Sequence, residues 1–163
     1  MGMSDAVWRR HANPWSGWTR LAGGLPLLAL AIWSRVWLGW GALVLLALAL
    51  GWIWYNPRAF AEPRSYRSWM SRGVLGEYVF LHHRALVAAH HRTAARWLSA
   101  LSLPGALVLA AGLWQLRLDW VLLGIVLTGL PKLWFLDRMV WIWADWQRAG
   151  RSVLGLDLDG GSA

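Results

Sequence analysis

The polar positions of this chain come in bunches, and the apolar stretches between them are too long and unbroken for the face of a soluble helix. Residues 36–55, VWLGWGALVLLALALGWIWY, carry no charge at all. Residues 97–116 and 120–136 are of the same kind, with Pro104 early in the first and Pro131-Lys132 near the end of the second. About 20 apolar residues at 1.5 Å each cover the roughly 30 Å of a bilayer's hydrocarbon, so each stretch is a predicted membrane span. Lys132 sits close enough to a span end for its ammonium group to reach the interface.

A shorter run, residues 21–33, is long enough to span only if it is extended back to Trp15, with Arg20 then one turn inside the end. Asn13-Pro14 supports that extension, since Asn is a good N-cap and Pro a good first helical residue. Ser34-Arg35 then becomes a very tight turn into the span over 36–55. The distribution of charge favours this count. With four spans and the N-terminus inside, 14 basic residues lie on the inner side and only Arg35 and Arg117 on the outer. With three spans the split falls to 11 against 5. The positive-inside rule therefore selects four, with both termini cytoplasmic and residues 15–33 expected to act as a signal anchor.

Between spans two and three the pattern changes. Asn56-Pro57 is expected to end the second span, because the residue before a proline is pushed out of helical geometry. Residues 58–72 then carry four Arg against the single acid Glu62. Arg58, Arg64, Arg67 and Arg72 are candidate contacts for anionic lipid headgroups, although holding the loop inside would itself require them. Residues 74–96 read as an amphipathic helix on the inner membrane surface. Glu77, Arg84, His91, Arg92 and Arg96 fall on one arc, and Leu75, Val79, Leu86 and Trp97 on the other. Residues 137–148 fit a second interfacial helix or a continuation of span four. Residues 1–150 thus form one membrane domain, and 151–163 read as a disordered tail.

Composition sharpens the class. The 58 % apolar share, 15 % charged share and absence of Cys exclude disorder, a disulfide scaffold and a thiolate zinc module. The net charge of +8 is not that of a soluble nucleic-acid binder, because the apolar runs are membrane-length. Eleven of the 16 Trp fall near proposed span ends, as an aromatic belt requires, and Trp8 and Trp69 stand outside that scheme.

Candidate chemistry is sparse. The paired histidines His82-His83 and His90-His91 are the most suggestive feature. On one helix His83 and His90 would share a face but stand about 10.5 Å apart, too far for one ion. A metal or haem enzyme built on these histidines, with Glu77 nearby, needs ligands from another element. Glu77 otherwise reads as an ion-pair partner. An oligomeric channel or small-solute transporter is a further alternative, though the span centres hold no ionisable residue. Ala106 with Ala110, and Gly124 with Thr128, offer small-residue spacings for close helix contact. No phosphate-binding, hydrolase or kinase motif occurs.

The segments His11-Ala12-Asn13-Pro14-Trp15-Ser16-Gly17-Trp18-Thr19-Arg20, Trp33-Ser34-Arg35, Asn56-Pro57-Arg58 with Phe60 and Pro63, and Gly73-Val74-Leu75-Gly76-Glu77 resemble a domain-of-unknown-function family of small prokaryotic integral membrane proteins. The resemblance covers about residues 8–140. It implies a four-helix membrane protein and no assigned activity, so no catalytic or binding residue carries over. The expectation is an all-α, four-span inner-membrane protein. No cofactor is expected, and its partners would be the bilayer, anionic lipid, a second copy or another membrane protein.

Overall fold

The computed structural model describes residues 3–156, which are helical apart from turns, an irregular connection over 60–68 and one isolated bridge. The helices are α1 (Asp5–His11), α2 (Pro14–Trp33), α3 (Arg35–Leu38), α4 (Ala42–Ala59), α5 (Trp69–His82), α6 (Ala89–Gln115) and α7 (Leu118–Arg148). Three stretches are long and apolar enough to cross a membrane: Pro14–Ala59, Ala89–Gln115 and Leu118–Arg148. Only 6 % of the apolar window in the first is buried, so its side chains face outward, as lipid-facing residues do.

The 46-residue first stretch is not one rod. It breaks at Ser34, continues through α3 and a 3-10 turn over Gly39–Gly41, and returns as α4. Gly39 takes φ +52°, a left-handed conformation that glycine adopts at no steric cost. The reversal is therefore eight residues, 34–41, rather than the two-residue turn the pattern suggested. At its far end α2 returns to α4 through Ser16, Thr19 and Asn56, so the two helices form an antiparallel hairpin. Asn56-Pro57 does not end α4, which runs on to Ala59. Proline's fixed φ is itself helical, and Asn56 is held by its side-chain bonds.

A second hairpin, α6 with α7, turns at Leu116 and Arg117, where the Arg117 N–H closes on the Gly112 carbonyl at 2.9 Å. The helices meet backbone to backbone. A Cβ on Gly105 would lie 2.5 Å from the Leu127 carbonyl carbon, and one on Gly112 2.7 Å from the Val121 nitrogen. Gly124 sits as tightly against Leu109. Gly124 and Thr128 thus take part in close contact as their spacing implied, whereas Ala106 and Ala110 face outward and Gly105, Leu109 and Gly112 do their work. The hairpins touch through Ala29, Leu109, Leu113 and Val121. They are also tied by Arg35, whose guanidinium donates to the carbonyls of Leu113 and Trp114 at the end of α6.

At 1.5 Å per residue, α6 is about 40 Å long and α7 about 46 Å, longer than the hydrocarbon layer. Their excess lies at the end where α1 and α5 pack, and there the core changes character. Val74, Leu75, Val79, Phe80, Met139, Ile142, Trp143 and Trp146 are buried together with Trp8. The amphipathic helix expected over 74–96 is therefore not one helix on a membrane surface. It divides at His83–Ala88 into α5, which is buried against α7, and the first turns of α6. Close approach explains the difference: a Cβ on Gly76 would overlap the Met139 carbonyl, so α7 lies directly on α5. Residues 137–148 continue α7, so Trp143 and Trp146 are core rather than interfacial. The expected tail begins as packed chain, with Val153 and Leu154 buried and Val153 bridged to Leu156. The rest of it, residues 157–163, lies outside the described residues.

Candidate functional site

Beneath the α2/α4 hairpin, at its junction with α1, lies a buried polar layer. Proline at the first position of α2 and the Asn13 cap, which accepts from the Trp15 N–H at 3.0 Å, fix the turn from α1 into α2. That turn brings His11 back over Ser16. Ser16 Oγ donates to Asn56 Oδ1 at 3.0 Å, and Asn56 Nδ2 donates to Thr19 Oγ1 at 2.9 Å. Thr19 donates in turn to the Trp15 carbonyl at 2.6 Å. His11 Nδ1 lies 2.9 Å from Ser16 Oγ, and His11 Nε2 lies 3.4 Å from an Arg20 guanidinium nitrogen.

The directions follow from counting protons. Serine has one hydroxyl proton and it goes to Asn56, so Ser16 accepts from His11 Nδ1–H. His11 Nε2 then accepts from Arg20, and the imidazole is neutral. Burial, followed by the nearby charges of Arg20 and Lys132, lowers its pKa from 6.5 to about 4. A serine beside a histidine invites comparison with a nucleophile and its base, but the roles run the other way. The histidine nitrogen facing the hydroxyl is a donor, and Ser16 is fully buried. The layer joins three helices. Every residue of it belongs to the segments that carry the family resemblance.

Lys132 reaches the same region and pairs with Glu77 at 3.9 Å, so α7 and α5 join it. Glu77 is thus an ion-pair residue, and its partner is Lys132. It does not meet His83 or His90. The four paired histidines are separated: His82 stacks on Tyr78 with ring centres 4.2 Å apart, and His83 lies 5.0 Å from Trp146. His90 and His91 stand together at the start of α6, with ring centres 4.1 Å apart. His91 Nε2 lies 2.8 Å from Asp145 Oδ2 on α7. Arg148 holds the other oxygen of Asp145 at 3.1 Å.

Of the expected lipid contacts, Arg64, Arg67 and Arg72 are exposed. Arg58 is half-buried, donating to the Trp54 carbonyl at 2.8 Å and lying 4.5 Å over the Trp54 ring. A cation there also suits the negative end of the α4 dipole. Arg9 pairs with Glu62 at 3.5 Å, and Tyr66 donates to Glu62 at 2.7 Å; burial and then that acid push the Tyr66 pKa upward.

Sequence reasoning missed His11, Ser16, Asn56 and Asp145 as a set. A signal was present for the first three, since small polar residues at both ends of an apolar hairpin need one another as partners. Trp8 and Trp69, which an aromatic belt left over, are explained as well. Trp8 is core, and Trp69 donates its indole N–H to Asp137 at 3.0 Å. At the opposite end an apolar cavity of about 550 Å³ lies between Ile32, Val36, Trp40, Leu43 and Leu116, with Arg35 the charged residue on its wall.

A family model described as a family of unknown function matches residues 1–155. No curated protein and no solved structure matches the chain.

Proposed function

The chain belongs to that family of unknown function, DUF6653, and from this premise we propose that it is a four-span protein of the inner (plasma) membrane. In this reading both termini and the helical base lie in the cytoplasm. The protein is a non-enzymatic membrane component that gathers anionic lipid through Arg64, Arg67 and Arg72, with Arg58 anchored at their edge.

The observation that carries the reading is the meeting of the first helix with residues 153–156. An Arg9 guanidinium nitrogen donates to the Leu154 carbonyl at 3.1 Å, and Trp8 shares a core with Val153 and Leu154. Segments in contact lie on one side of a bilayer, so the chain between them crosses an even number of times. Of the three apolar stretches, the first folds back on itself, and counting it as two crossings gives four. The basic residues add support, since only Arg35 and Arg117 belong to the two turns at the far end.

Because the chain has no Cys, single cysteines report sidedness cleanly. In intact cells a membrane-impermeant maleimide should label Gly41→Cys and Arg117→Cys, but Arg10→Cys and Arg64→Cys only after permeabilisation. Labelling of Arg64→Cys in intact cells would sink the orientation. Native mass spectrometry of the detergent-solubilised protein should show bound phosphatidylglycerol. Replacing Arg58, Arg64, Arg67 and Arg72 by Gln should remove most of it, and unchanged retention would refute the lipid role.

A further inference from the structure

We propose that His90, His91 and Asp145 form a binding site for a divalent transition-metal ion, and that the ion clamps the start of α6 to the end of α7. One ring nitrogen from each histidine and one Asp145 oxygen lie within 4.8 Å of one another. Tetrahedral bonds of 2.0–2.2 Å would put the three ligand atoms roughly 3.3 Å apart, so the set has to close by somewhat more than an ångström. His90 is exposed and the Asp145 side chain is 44 % exposed, so both can rotate inward without disturbing the core. His91 is the fixed point, 3 % exposed.

Two further observations fix the ligand atoms. The ring nitrogen of His91 that faces Asp145 is Nε2, 2.8 Å from Oδ2, so an ion enters by displacing the proton between them and spreading the pair to about 3.3 Å. Arg148 occupies Asp145 Oδ1, which leaves Oδ2 as the oxygen turned to the histidines. The donors select the ion class. Two imidazoles and a carboxylate suit zinc, nickel or cobalt rather than magnesium or calcium, and the chain offers no thiolate. Three protein ligands leave a fourth position for water. The site joins residues 54 positions apart, at the cytoplasmic ends of the two longest helices.

The test uses the full chain without a histidine tag, purified in detergent and stripped with chelator. Titration with Co²⁺ should give the visible absorption of a tetrahedral site, saturating at one ion per chain, and Zn²⁺ should displace it and raise the melting temperature. His90→Ala and Asp145→Asn should each weaken binding by at least the roughly 10–100-fold that loss of even an outer-shell partner causes. Arg148→Gln should tighten it, by freeing the carboxylate. The His82→Ala/His83→Ala double variant should bind as the parent does. Binding that survives both His90→Ala and Asp145→Asn, binding abolished by the His82/His83 variant, or no saturable binding would each overturn the site.

Discussion

Acidification acts on the polar layer through His11. Its pKa falls from 6.5 to about 4 in the folded protein, chiefly because burial disfavours the imidazolium. The folded value lies below the unfolded one, so the neutral ring's contribution is fully present above pH 6.5. It is lost as the pH falls through the window from 6.5 to 4, where the unfolded chain takes up a proton that the folded chain refuses. At 1.36 kcal/mol per pH unit the whole shift corresponds to about 3 kcal/mol, of which about 2 kcal/mol is lost by pH 5. Thermal unfolding in detergent at pH 7.5 and pH 5, for the parent and for His11→Asn, isolates that share. Asn keeps a donor near the position of Nδ1 but does not titrate. The variant should be less stable at pH 7.5, by about 1–3 kcal/mol for the lost packing and the lost Arg20 contact. Between pH 7.5 and 5 it should lose about 2 kcal/mol less than the parent. Equal losses would show that His11 is not held neutral, and the proton count through Ser16 and Asn56 would be wrong.

Three other perturbations test the helix contacts. Gly105→Val places methyl groups into the Leu127–Thr128 backbone and should destabilise the α6/α7 hairpin by about 1–3 kcal/mol or more, read as a fall in melting temperature; Gly129→Val, with open space around it, should not. Asn56→Leu removes the acceptor of Ser16 and the donor to Thr19 at a buried site. It should cost about 1–3 kcal/mol for each group left unpaired, measured by unfolding in detergent. Arg35→Leu frees the α6 carbonyls of Leu113 and Trp114. It should loosen that end, seen as faster amide exchange over residues 113–117 with the base unchanged.

Where one physical constraint dominated, the sequence was a reliable guide. Apolar length located the long helices of both hairpins, because a stretch without charge has only helix to satisfy its backbone in an apolar setting. The start of α2 came out at Pro14 for the same local reasons of capping. What failed was the reading of 74–96, because helical periodicity records which face is apolar and not what covers it. The apolar arc of α5 is covered by α7, which arrives some 60 residues later, and the glycines Gly73 and Gly76 were the one sign of a close neighbour. The histidines show a similar limit. Sequence spacing compares residues along one helix, whereas the partner of His91 is Asp145 on another. The Trp count was read as a belt, and nine of the 16 are indeed exposed, but Trp8, Trp143 and Trp146 serve a soluble-type core that sequence alone does not separate from an interface.

The docking of α5 on α7 has a consequence for the order of assembly. His11, Ser16, Thr19 and Asn56, which tie α2 to α4, all precede α5 in the chain, so the first hairpin can complete its polar layer without it. α7 comes later in the chain, and without it Val74, Leu75, Val79 and Phe80 lack Met139, Ile142, Trp143 and Trp146 from their core. The apolar face of α5 is therefore covered only once α7 has joined it, so both hairpins must be present before the base closes.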